Sequence, residues 1–232
     1  MRKISTALVS LAATAAALSI AVPVFSQGVP ASLLSETEKK NIVAEKIRAA
    51  GSEKALPARE KLYGELGDLR DASAVPVLRR AVLNDAEPGA RISAVHALRK
   101  IGGVEALDGL TAAFESESHK GVRIQVVNAL GFFGDPGTAA RLLSTAAIDP
   151  DKDVRIAAVM ALSRSGEAAA LASGFDSEQD PDVRLAIIDS LSRAEGGERE
   201  LEKIRGKSGD ARVNKRLEMY LPAKRRGAAG KR

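Results

Sequence analysis

The chain has no cysteine and no tryptophan, and Phe and Tyr together make up only 3% of its 232 residues. Without cysteine there are neither disulfides nor thiolate metal sites. The two histidines, His96 and His119, fall short of the His and carboxylate sets at fixed spacing that zinc or iron sites use. Nucleophilic catalysis lacks its parts as well: no Gly-x-Ser-x-Gly occurs, and no Ser has a His in a convincing setting. The glycine-rich run from Gly131 to Gly137 lacks the Lys-Ser/Thr that would meet a phosphate and its metal. It reads as a turn between helices, with Phe132 or Phe133 packed inward.

A dominant charge of one sign is missing too. The whole chain has 35 basic and 30 acidic residues. Setting aside Arg2 and Lys3 near the start and five cations after Leu221 leaves a body with 28 basic against 30 acidic residues. A nearly neutral, aromatic-poor body argues against a nucleic-acid surface, which needs a basic face and rings to stack on bases.

What is present begins with a leader. After Met-Arg-Lys, Ile4 to Val24 runs without a charge, and Val24-Phe25-Ser26 offers small residues around a cleavage site. A retained membrane anchor is the rival reading. Pro23, the abundance of Ala and the lack of a basic cluster after Gln27 favour a cleaved signal peptide over residues 1–26. The expected location is therefore exported, periplasmic or secreted. With no Cys at the site, a lipoprotein anchor is ruled out.

The rest is organised by repetition. Arg59, Arg91, Arg123, Arg155, Arg184 and Arg212 are spaced by 32, 32, 32, 29 and 28 residues. Seven residues after them stand Leu66, Leu98, Leu130, Leu162, Leu191 and Met219. A fixed period in this range marks a stack of helical repeats. One position after the Arg lie Ile92, Ile124, Ile156 and Leu185; four after lie Tyr63, Val95, Val127, Val159 and Ile188. Six after come the small residues Ala97, Ala129, Ala161 and Ser190. These rows form a core face at helical period, whereas the row five after the Arg, which includes His96, has no common chemistry and faces outward.

Second helices are expected over 72–83, 104–114, 137–147, 167–172 and 198–206, with Leu78, Leu110 and Leu142 sharing one position. The fourth is the short one, and a bend or groove is expected there. A charged first helix opens at Ser35, whose capping box with Glu38 marks its start and which stops at Gly51. Each repeated Arg sits in a helical first turn, where the dipole disfavours a cation. A structural ladder explains the row better than a ligand site does: Asp153 and Asp182 cap the helices, and a neighbouring repeat's Asp pairs with the Arg.

The motif Asp151-x-Asp-Val-Arg-x-x-Ala-x-x-Ala-Leu-x-x-x-Gly166 resembles the HEAT repeat, in the short bacterial form also found in phycobilin lyases. The resemblance covers 56–221 and departs from the pattern at Ala55-Leu56-Pro57 and at Ala211-Arg212-Val213. It implies an all-α, right-handed α-solenoid of about six stacked helical hairpins. A leader (1–26), a lead-in with a capping helix (27–55), the repeat domain (56–221) and a disordered basic tail (222–232) complete the chain.

The resemblance further implies a non-catalytic scaffold or adaptor for another protein, here in a bacterial cell envelope, with no cofactor of its own. The alternative is a lyase-like or chaperone-like protein that assists a cofactor-bearing enzyme. If second helices line the binding side, as in similar stacks, then Arg79, Arg80, Asp108, Arg141 and Lys203 are the contact candidates. The tail cations Lys224, Arg225, Arg226, Lys231 and Arg232 read either as a solubilising end or as a weak tether to anionic envelope material.

Overall fold

The computed structural model describes residues 35–133, 147–164 and 168–221. The leader, the lead-in, Arg141, Leu142, Gly166 and the basic tail lie outside the described residues. Among the described residues the regular structure is helical, with no strand. The helices are α1 (Glu36–Ser52), α2 (Leu56–Leu69), α3 (Val75–Asn84), α4 (Pro88–Ile101), α5 (Val104–Ser116) and α6 (Lys120–Leu130). They continue with α7 (Lys152–Arg164), α8 (Ala168–Ser177), α9 (Pro181–Leu191), α10 (Gly197–Ile204) and α11 (Ala211–Tyr220). A short 3₁₀ turn, Ala72–Ala74, leads into α3.

The chain divides into one unit ending at Ile42 and a second beginning at Val43. In the first, the expected capping box is formed: Ser35 N–H donates to Glu38 Oε2 at 3.0 Å, and Glu38 N–H donates to Ser35 Oγ at 3.3 Å. In the second, helical hairpins stack as an α-solenoid. First helices lie side by side, α2 on α4, α4 on α6, α6 on α7, α7 on α9 and α9 on α11; second helices follow suit, α3 on α5 and α8 on α10.

The core stripe matches the sequence rows in part. The positions four and seven after each Arg are buried from the first repeat to Ile188 and Leu191. The row one after the Arg, however, is only half-buried at Ile92, Ile124, Ile156 and Leu185. Its place in the core is taken by the row before the Arg, Ala90, Val122, Val154 and Val183, together with Ala94, Val126, Ala158 and Ile187 three after it. Positions −1, +3, +4 and +7 line one side of a helix, while +1 turns about 100° away from the Arg. Of Phe132 and Phe133, one of them expected inside, Phe132 is 61% exposed and Phe133 is half-buried.

The last repeat shifts register. Met219, placed in the Leu row from the sequence, is 67% exposed, whereas Val213, Leu217 and Leu221 are buried. Val213 thus holds the row before the Arg, and Asn214, not Arg212, holds the Arg position.

The drop in period is explained by the second helices. The helix α5 has 13 residues and α3 has 10 with a 3-residue 3₁₀ turn before it, whereas α8 has 10 and runs on to Ser177 rather than ending at Ala172. Beside α8 lies a cleft of about 580 Å³ whose lining includes Ile148, Leu162, Ala170 and Ser173.

Close stacking depends on small residues facing one another. A Cβ added at Gly67 would lie 2.7 Å from Ala97 Cα, so α2 and α4 touch nearly backbone to backbone. Gly67→Ala therefore has to separate the helices, and a loss of about 1–3 kcal/mol is expected in chemical denaturation. Gly64→Ala, one turn earlier with nothing within 4 Å, should instead stabilise by about 0.5–1 kcal/mol. Equal effects at the two sites would show that the close approach does not limit the packing.

Candidate functional site

The repeated arginines and the turns between repeats form one continuous system. Arg59, Arg91, Arg123 and Arg155 each grip a carboxylate of the next turn with two nitrogens: Asp85, Glu117, Asp149 and Glu178. The Nε contacts are 2.9, 2.7, 3.0 and 2.7 Å, and the Nη2 contacts are 2.9, 3.0, 3.2 and 3.1 Å. Arginine side chains are 13–16% exposed and their carboxylates 6–9%, so these pairs are largely withdrawn from water.

Each acidic residue has further duties in its own turn. Its carboxylate accepts the N–H two residues on, from Glu87, His119, Asp151 and Asp180 respectively. The third arginine nitrogen, Nη1, reaches back to a turn carbonyl. Arg91 donates to Asp85 O and Arg155 to Asp149 O, both at 2.8 Å, and Arg123 donates to Ser118 O at 2.7 Å. Asp85 and Asp149 thus accept from the arginine behind through the side chain and from the arginine ahead through the backbone.

The neighbouring-repeat ladder was legible, but its acceptors were not. Two of the four are Glu, and all stand six residues before the next Arg position, a spacing visible in Asp85/Arg91, Glu117/Arg123, Asp149/Arg155 and Glu178/Arg184. The expected caps also move by two residues. Asp151 and Asp180 accept N–H groups of Asp153 and Asp182 at 2.9 and 2.8 Å, whereas Asp153 and Asp182 reach outward to Lys120 and Lys152. An Asx cap must precede the helix, and positions 153 and 182 already lie inside it.

Burial alone would raise the carboxyls of Asp85, Glu117 and Glu178, but the hydrogen bonds from Arg59, Arg91 and Arg155 and from the turn N–H groups hold each below its ordinary value. His96 is half-buried rather than solvated; burial, then Arg99 and Lys100, push its pKa down. His119 is exposed. Among the described residues no group of three His, Cys, Asp or Glu side chains could hold a metal.

The candidate contact residues are not brought together as one site. Arg79 is half-buried, and its Cγ would lie 2.6 Å from a Cβ at Gly109, so its stem packs on α5. Lys203 pairs with Glu200 on its own helix at 2.7 Å. Arg80 and Asp108 are exposed and make no ion pair among the described residues. Arg141 and the five tail cations, Lys224 to Arg232, lie outside the described residues.

A family model for HEAT repeats matches residues 52–131 and again 110–192. The chain belongs to the HEAT-repeat family. No curated protein matches it in sequence. Among solved structures it is similar to an engineered protein at 18% identity and a TM-score of 0.48, over 78% of this chain and 95% of that one. It is also similar to the complex of CpcE and CpcF of phycocyanin lyase from Nostoc sp. PCC7120, at 18% identity and a TM-score of 0.45, over 78% of this chain and 82% of that one.

The HEAT ladder is broken at its fifth rung. Ser208 stands six residues before Asn214 and keeps the turn role, accepting Asp210 N–H at 3.1 Å, while its carbonyl accepts from Asn214 Nδ2 at 2.9 Å. Arg184 therefore meets a hydroxyl, at 3.4 Å, instead of a carboxylate. Its Nε is buried without an acceptor, and its guanidinium lies 5.1 Å over the Phe175 ring. Ser208→Asp should supply the missing acceptor and raise stability by about 1–2 kcal/mol. No gain in the thermal midpoint would mean that Arg184 cannot turn toward that position.

Acid unfolding gives a second check. A carboxyl whose folded pKa is depressed adds stability above its unfolded pKa, near 4, and loses it as pH falls through the lower folded value. Glu117→Gln should consequently show a shallower loss of stability below about pH 4 than the parent chain. Superimposable acid limbs would remove the ladder from the acid response.

Proposed function

We propose that this chain is an exported, non-catalytic HEAT-repeat scaffold that holds a protein partner in a bacterial envelope. One observation carries the reading. Along the turn edge the charges are spent on each other, rung by rung, whereas Arg80 on α3 and Asp108 on α5 are exposed without ion pairs among the described residues. Unpaired charges on adjacent second helices suit an outside partner that brings the opposite charges to meet them. Export is supported by the basic start and the uncharged run from Ile4 to Val24. None of the described helices is long and apolar enough to cross a membrane.

The test is a pull-down from envelope extract with the chain from Gln27 onward, a version ending at Leu221, and Arg80→Glu/Asp108→Arg in the longer form. The scaffold reading expects the same partner with both lengths and its loss in the double variant. It also expects the chain recovered from the envelope to begin at Gln27. Loss of the partner with the shorter form would move binding to the tail cations, and a coloured, cofactor-bearing preparation would favour the lyase-like alternative.

A further inference from the structure

The opposite edge of the stack, where first helices end, contains a cluster that the ladder does not use. Phe132, just past α6, lies between two guanidinium groups: Arg99 of α4 at 4.9 Å from the ring centroid and Arg164 of α7 at 5.0 Å. Neither arginine has an acidic partner among the described residues. Gly131 makes the arrangement possible, since a Cβ there would lie 2.8 Å from the Ala161 side chain and 3.1 Å from Arg164 Nη2.

The register shows what a purely structural contact looks like at this edge. Nine residues after the rung arginines stand Asp68, Lys100, Phe132 and Arg164. Lys100 pairs with Asp68 of the preceding repeat at 2.6 Å. Arg164 has Phe132 in that place, and the ring stays 61% exposed. A helix C-terminus favours a cation in its last turn, which accounts for charge on Arg99 and Arg164 but not for an exposed ring shared between them. A guanidinium that covers a ring with its face keeps its N–H edge for an oxygen acceptor. Arg164 is exposed as a residue, yet desolvation at its guanidinium pushes its pKa down.

We propose that Arg99, Phe132 and Arg164 form a docking site for an acidic segment of a protein partner, whose Asp or Glu carboxylates take the two guanidinium edges while its apolar atoms meet the rim of the ring. This rests on the reading of the chain as a protein-binding scaffold and adds a second contact to it, with stated chemistry. A duplex nucleic acid is a poorer match, because tight phosphate binding spends about 6–10 cations and the body is nearly neutral.

Fluorescence anisotropy of a labelled octaglutamate peptide with the full chain tests the site. Salt-sensitive binding is expected, weakened about tenfold or more by Arg99→Glu/Arg164→Glu. Phe132→Ala should weaken it less, and Arg99→Lys/Arg164→Lys should fall between because the charge stays and the planar fork goes. Circular dichroism melts establish that each variant is folded, and the Lys pair decides the matter if the Glu pair is not. Unchanged affinity in the folded charge variants overturns the proposal. So does tighter binding of a same-length single-stranded oligonucleotide or of phosphatidylglycerol vesicles at this site. Arg80→Glu/Asp108→Arg is expected to leave octaglutamate binding intact, so failure of the second-helix contact and failure of this edge are read separately.

Discussion

The stack depends on one fork of hydrogen bonds, an arginine in one repeat closing on a carboxylate in the turn before the next. A cation in the first turn of a helix faces the positive end of the dipole, so the position is tenable only with a compensating anion. That anion comes from beyond the hairpin, which makes the compensation a contact between neighbours. Lysine could not do the same job. Three separate nitrogens are engaged in Arg91 and Arg155, two on the carboxylate and one on a backbone carbonyl, and only a planar fork offers them in fixed directions. Because each turn residue accepts from the repeat behind and, at Asp85 and Asp149, also from the arginine ahead, the order of one turn is tied to the next. A solenoid whose units contact only their neighbours needs such nearest-neighbour terms, having no common core to hold distant parts together.

What could be seen in the sequence follows from what repeats. The Arg and Leu rows recur with the same residue type, and the helices and their stacking follow from them. The row around His96, read as outward, is instead exposed at Met160 and half-buried at His96 and Asn128. The carboxylates recur only as a class, two Asp and two Glu, while the more uniform Asp153 and Asp182 attract attention at positions that turn out to lie inside helices and reach outward. The final repeat misled for a related reason. Arg212 imitates the pattern two residues early, with 61% of its side chain exposed and its charge shared between Asp182 and Asp210. Asn214 does the work of the rung arginine on the carbonyl of Ser208. The burial of Val213, Leu217 and Leu221 agrees with these contacts in choosing Asn214, and burial is a property of the neighbours as much as of the residue.

The two edges of the stack differ in what they leave over. At the turn edge every rung from Arg59 to Arg155 is closed by a carboxylate, so mutual pairing leaves little for an outside ligand. At the other edge closure stops after Asp68 and Lys100, and the same register continues with an exposed ring and an arginine without an anion among the described residues. Natural sequences are locally consistent except where another requirement intervenes. An Asp at 132 would have met Arg164 as Asp68 meets Lys100, within reach of a single substitution. Keeping Phe there leaves apolar surface in water between two guanidinium groups that have no carboxylate among the described residues; the helix C-termini account for the charges but not for the exposed ring. The departure lies beside the helix ends and away from the buried rungs, so the edge can change its chemistry while the ladder keeps the repeats in register.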